Sequence, residues 1–301
     1  MKIDPSIRSQ MILPNRLPAK NPLSKAIFYL LLSVFAVLFA MPLYVMIVTS
    51  LKSMDEIRMG HIFALPITPS FDAWDMAWNK AASGFDNTGL KSGFWNSVII
   101  LIPSLAMSVA FSSVCGYALA CWNVKMGNFL LMALLVCAFI PFQVIMYPLI
   151  KMSVAVKLYN TSFGVSVVHT VLALPILTMI FKNYFASIPE ELIKASRVDG
   201  GRFWGTFVYV VLPLSPNIMI VVAIMQITGI WNDFLVGLTF GNVKAYPMTV
   251  NLNNITQTQT GVRVYNVYMA AAMLTAIPPL LIYFFSGKMF IRGITAGALK
   301  G

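Results

Sequence analysis

The chain has 301 residues, of which 58% are hydrophobic and only 10% charged, with a mean hydropathy of +0.79. Soluble domains carry roughly 25% charged residues, so this composition excludes an ordinary soluble enzyme and points to one integrated membrane domain over residues 1–301. The excess of 21 Lys+Arg over 10 Asp+Glu, a net +11, is read as the basic bias of cytoplasmic loops and not as a nucleic-acid surface.

A bilayer core of roughly 30 Å needs about 20 apolar residues in a helix. Six stretches satisfy this: 26–48, 96–120, 128–150, 158–181, 213–236 and 267–289. None carries an acidic residue away from its end. The expected fold is all-α, with six transmembrane helices. The first run follows a mostly polar segment without a small-x-small cleavage site, so it is read as a retained helix. Lys2, Arg8, Arg16, Lys20, Lys25, Lys125, Lys182, Lys194, Arg197, Arg202, Lys288, Arg292 and Lys300 share one side if both termini are cytoplasmic, and this sets the expected orientation. Cys115, Cys121 and Cys137 lack metal-ligand spacing and are read as small packing residues.

The first outer loop, 49–95, is long and contains Trp74, Trp78, Trp95 and five acids. Two readings stand: an aromatic anchor at the membrane surface, or a docking surface for an extracytoplasmic partner. Prolines 103, 141, 148, 175, 278 and 279 interrupt the spans, and each is expected to permit a kink.

The fourth and fifth spans are joined by an inside loop, 182–212. Ser187 and Glu190 have the S-x-x-E spacing of a capping box, with Pro189 in the first turn, and predict a short helix from Ile188 to about Val198. Asp199-Gly200-Gly201 supplies a turn. Phe203, Phe207, Val210 and Val211 then predict a second helix running to Pro213. The segment reads as a cytoplasmic helix–turn–helix knob.

These residues resemble the EAA signature of the inner-membrane permease subunits of ABC importers, approximately EAA-x-x-x-G with an I-x-LP following. Here the motif reads Lys194-Ala195-Ser196-Arg197-Val198-Asp199-Gly200, closed by Val211-Leu212-Pro213. Lys194 stands where the family has its glutamate, and Ser196 where it has its second alanine. Met41-Pro42-Leu43-Tyr44, Thr49-Ser50-Leu51-Lys52, Phe94-Trp95-Asn96-Ser97, Gly116-Tyr117-Ala118-Leu119-Ala120, Trp231-Asn232-Asp233 and the tail 293–301 extend the resemblance over nearly the whole chain, toward the second, six-span permease of carbohydrate importers of maltose or glucose type.

The resemblance implies a sugar-importer permease in a bacterial-type cytoplasmic membrane. It also implies a second related permease, two ATP-binding subunits that use Mg-ATP, an extracytoplasmic sugar-binding protein and no cofactor on this chain. Glu190, Glu191, Lys194, Ala195, Ser196, Asp199, Gly200, Phe203 and Phe207 would form the coupling contact with an ATPase. Thr295, Ala296, Gly297 and Lys300 would form a tail reaching the ATPase; a frayed terminus is the other reading of that tail. The sequence contains no G-x-x-x-x-G-K-[ST], so ATP hydrolysis is expected on a partner chain.

Polar groups inside spans are candidates for a solute pathway. Gln143, Tyr147, Gln226, Trp231, Asn232 and Asp233 are of types that bind sugar hydroxyls or pack on sugar C–H faces, although bonding helix to helix is the commoner use of such residues. His169 could serve a proton relay in an ion-coupled transporter acting alone, but no carboxylate is expected within a span core to partner it. Ser112, Gly116 and Ala120 form a small-residue stripe for close helix packing.

Overall fold

The computed structural model describes residues 22–82, 88–122, 124–257 and 263–298, with 287–298 as backbone alone. The described residues are helical, connected by turns and loops, and contain no strand. The elements are α1 (Pro22–Ser50), α2 (Met54–Met59), α3 (Asp72–Asp75, prolonged by a π-turn Met76–Lys80), α4 (Gly89–Cys121), α5 (Gly127–Ala138), α6 (Phe142–Ala155), α7 (Ser162–Phe185), α8 (Glu190–Val198), α9 (Phe203–Thr206, prolonged by a π-turn Phe207–Val211), α10 (Pro216–Asn232), α11 (Leu235–Phe240), α12 (Met248–Gln257) and α13 (Tyr265–Ala298).

Four helices are long and apolar enough to cross a bilayer: α1, α4, α7 and the 265–286 part of α13. The other two expected spans are not straight rods. The predicted 128–150 helix is two helices, α5 and α6, meeting at 106°. The break falls at Pro141, which cannot donate an N–H into a continuing helix. The predicted 213–236 helix begins at Pro216, after α9 has met it at 91°, and ends at Asn232, where Asp233 turns the chain into α11. Prolines 103, 148, 175, 278 and 279 instead lie inside continuous helices. The fourth span starts at Ser162, later than the predicted 158. Lys157 and Asn160 adopt positive φ, and the Thr161 hydroxyl caps the helix by accepting from Gly164 N–H at 2.9 Å.

The frame is built on α4, which packs most extensively on α7 and also meets α10 and α12. Its buried stripe is small and polar: Ser97, Ser104, Ser108, Ser112 and Gly116. The stripe is thus longer than the sequence suggested toward the N-terminal end of α4, and Ala120 is only half-buried. A Cβ on Gly116 would stand 2.5 Å from Phe181 Cβ and 2.8 Å from Lys182 N. Only glycine lets α4 and α7 approach this closely toward their C-terminal ends. The serines bond across the frame: Ser166 Oγ donates to the Ile100 carbonyl at 3.0 Å, and Ser97 Oγ accepts from Met248 N–H at 2.8 Å. Cys115 and Cys137 are exposed and Cys121 is half-buried, so the expected packing role does not hold for the first two.

Near the start of α4, α2 and α3 pack against α13, and the π-turn that prolongs α3 packs on α4 as well. Lys52 is 5% exposed and donates to the His61 carbonyl at 3.2 Å. One Glu56 carboxylate oxygen accepts from the Ile67 and Thr68 amides. Trp74 donates to Ser50 Oγ at 3.2 Å, and Trp78, Phe94 and Trp231 form a chain of rings with centroids 5.6 Å apart at each step. Trp95, in contrast, is exposed. Asp75 and Lys80 form a solvent-exposed ion pair at 2.6 Å. Hydrogen bonds from Lys80 and Asn79 hold the Asp75 carboxyl below its ordinary value, and the same pair raises Lys80.

Candidate functional site

The loop after α7 folds into two joined helices. The capping box does not form: Ser187 Oγ donates to the Tyr184 carbonyl at 2.7 Å, and α8 starts at Glu190 without a side-chain cap. The physical reason lies upstream. Ala186, Ser187 and Ile188 still donate their amides to Lys182, Tyr184 and Phe185, so the chain is winding down from α7 when it reaches Pro189. Ile193 is the one buried residue of α8 and packs with Tyr117, Phe181, Phe185 and Phe207. Glu190, Glu191, Lys194, Ala195 and Asp199 are exposed. Lys194 pairs with Glu190 one turn earlier at 3.1 Å, an exposed bridge worth about 0.3–0.5 kcal/mol.

The turn is closed by Gly200, whose φ of +81° lies in the left-handed region. Gly201 N–H donates to the Ser196 carbonyl at 2.7 Å, and Ser196 Oγ meets Thr206 Oγ1 at 2.9 Å, tying α8 to α9. Gly201 has no room for a side chain, since a Cβ would collide with Ser196. Phe207 is buried and Phe203 half-buried against Tyr117, whose hydroxyl donates to the Phe203 carbonyl at 3.2 Å. Ring centroids separate Tyr117 from Phe203 by 4.9 Å and from Phe207 by 5.2 Å. Arg197 Nη2 donates to the Cys121 carbonyl at 2.6 Å, with the guanidinium 4.6 Å from the Trp122 ring centroid. The knob is therefore braced against the C-terminal ends of α4 and α7, while its other face stays exposed.

Of the tail residues, Thr295, Ala296 and Gly297 belong to the backbone of α13, and Lys300 lies outside the described residues.

The six pathway candidates do not form one cluster. Gln226 is buried and donates to Ser108 Oγ at 3.0 Å, a bond between α10 and α4. Trp231 is 3% exposed and donates to the Thr275 carbonyl at 3.0 Å. Both are committed to packing. Gln143, Tyr147 and Asn232 are exposed, with Lys151 Nζ 4.8 Å from the Tyr147 ring centroid. Asp233 borders a cavity of about 450 Å³ whose other walls are apolar residues of α5, α6, α7 and α11, among them Leu134, Phe142, Leu172 and Pro175. Its Oδ2 accepts from the amides of Val236 and Gly237 at 2.9 and 3.1 Å, capping α11, and lies 3.8 Å from His169 Nε2. The expectation that His169 has no carboxylate partner is thus overturned: the α10–α11 break carries Asp233 back toward α7. Sequence reasoning also missed the Arg197–Trp122 contact, the tight Gly201 and the buried Lys52; Arg197 and Gly201 were at least visible as neighbours of the loop motif.

An all-helical frame with broken spans, a cavity bordered by Asp233 and a braced knob at one end is the architecture of a polytopic permease rather than of an anchor. Residues 112–296 match the binding-protein-dependent transport system inner membrane component family. A probable ABC transporter permease of Pyrococcus horikoshii is 44% identical over 165 residues, which cover 54% of this chain and 59% of that one. The arabinooligosaccharide transport system permease AraQ of Halalkalibacterium halodurans is 30% identical over 262 residues, 86% of this chain and 91% of that one. In structure, a chain of a bacterial ABC transporter involved in the import of the acidic polysaccharide alginate superposes with a TM-score of 0.74 at 19% identity, covering 89% of this chain and 96% of that one. The chain belongs to the inner-membrane permease components of binding-protein-dependent ABC transport systems. It is a membrane-embedded transport subunit that works within a multi-subunit transporter.

Proposed function

We propose that this chain supplies half of the translocation pathway of an ATP-driven sugar importer, with both termini in the cytoplasm. A second, related permease completes the pathway, two copies of an ATP-binding subunit hydrolyse Mg-ATP, and an extracytoplasmic binding protein delivers the sugar to the outer loop. The sugar class is supported by the carbohydrate permeases among the relatives, including AraQ and a xylose/arabinose import permease of Haloferax volcanii.

The observation that carries the coupling reading is the α8–α9 knob: a short helix pinned by Ile193, Gly200 and the Ser196–Thr206 contact, with Glu190, Glu191, Lys194 and Ala195 exposed. An element held this firmly on one side can transmit a push applied to the other. An ATPase cleft that receives it would move α8 as a body. On this reading Asp233 and the cavity beside it face the solute path, Gln143, Tyr147 and Asn232 serve at its margins, and Gln226 and Trp231 hold the frame.

Purification of the tagged chain from its native membrane in mild detergent tests this, with mass spectrometry of what co-elutes and assay of ATP hydrolysis. A second permease and a P-loop ATPase are expected. Recovery of this chain alone, persisting with cross-linking, together with ion-driven uptake in proteoliposomes holding only this chain, would favour an ion-coupled carrier instead, and would make the His169–Asp233 pair its first candidate relay.

A further inference from the structure

The coupling loop is covalently continuous with α7 on one side and α10 on the other, but α4 is adjacent to neither in the chain. Arg197 bridges that gap. Cys121 is the last residue of α4 and Trp122 its C-cap. The last carbonyls of a helix lack intrahelical donors and carry a partial negative charge, so a guanidinium is a well-matched cap for them. Arg197 donates to the Cys121 carbonyl while lying over the Trp122 ring, the aromatic face that best attracts a cation. Trp122 in turn sits 5.3 Å from Phe203 of α9. From this end α4 runs outward past the Gln226–Ser108 bond to the Ser97–Met248 bond at the opposite side of the frame.

We infer that Arg197 is a positioning residue, a clasp that makes α4 move with α8, so that displacement of the knob reaches the helix on which α7, α10 and α12 pack. The inference rests on the coupling role proposed above.

The test uses the intact importer in proteoliposomes, with the three cysteines replaced and spin labels at Leu192→Cys on α8 and Phe111→Cys on α4, both at exposed positions. The contact to Cys121 is through its carbonyl, so replacing that thiol leaves the bond available. Distances are read without nucleotide and after trapping with Mg-ATP and vanadate. With Arg197 present, the label separation stays the same in both states; in Arg197→Gln it shifts by about 2 Å or more on trapping, and Arg197→Lys, which keeps the charge, shifts less. Subunit stoichiometry is measured on every sample. An unchanged separation in the trapped Arg197→Gln importer overturns the clasp, as does a separation that changes with Arg197 in place. Loss of the ATPase from Arg197→Gln particles also overturns it, by making Arg197 an assembly residue. Failure of the parent protein to retain any ATPase or trap nucleotide defeats the coupling reading itself, and the clasp with it.

Discussion

Gly200 and Gly201 stand side by side in one turn, yet they are required for different reasons. Gly200 has open space around a would-be Cβ and is demanded only by its φ of +81°. Gly200→Ala should therefore cost about 1–2 kcal/mol of local strain. Gly201→Ala must displace the Ser196 backbone and break the turn that joins α8 to α9. Uptake should fall more in Gly201→Ala than in Gly200→Ala; equal losses would mean the turn matters only as a flexible link. The Asp-Gly-Gly run made the turn legible, but nothing local distinguishes one glycine's role from the other's. The capping box misled for a related reason, because Ser187 meets the Tyr184 carbonyl of α7 before any helix needs its oxygen. The Asp75–Lys80 pair has a definite pH signature. A depressed carboxyl stabilises above its unfolded titration range and loses that effect as pH falls through the lowered pKa; the raised Lys80 loses its effect as pH rises through its own pKa. Lys80→Ala should leave stability nearly unchanged at neutral pH, since both groups are solvent-exposed, while returning the Asp75 titration, followed by NMR, toward its ordinary value.

The broken spans were hidden from sequence because counting apolar residues is indifferent to direction. Pro141 carries the same signal as Pro103 or Pro175, but only the first coincides with a break; the others lie inside the continuous helices α4 and α7. The α10–α11 break has a clearer cause, with the Asp233 carboxylate satisfying two amides that α10 leaves behind. Asp233→Ala should lower the thermal stability of the purified protein by about 1 kcal/mol through loss of the cap. Asp233→Asn should preserve the cap while removing the charge beside His169. A fall in sugar uptake in Asp233→Asn with stability retained would assign the charge to the pathway, whereas normal uptake would leave Asp233 a structural cap. The proximity of His169 and Asp233 could not be read from the sequence, since it requires knowing where α10 ends.

Across the whole molecule, order is concentrated in the α4–α7 pair. Gly116 is its tightest point, and Gly116→Val should cost about 1–3 kcal/mol by forcing the helices apart, seen as earlier thermal unfolding in detergent. Amide exchange should be slowest in α4 and α7 and faster in α5 and α6, which have few buried residues. The all-helical fold and the helix–turn–helix shape of the loop after α7 were legible because hydropathy and turn chemistry are local quantities. The burial of Lys52 and the commitment of Trp231 and Gln226 to packing were not, because each depends on a partner far away in the chain.

The bend at Pro141 also bears on how the protein is made. A helix of 12 residues, such as α5, is about 18 Å long and cannot alone cross a bilayer core of about 30 Å. Residues 127–155 leave the ribosome as an apolar run in which Pro141 permits a corner without fixing its angle. The surface that receives α5 belongs to α7, which is synthesised later. The angle is therefore acquired after insertion, and a nascent chain halted before α7 should still hold this segment as an upright, proteolytically protected rod.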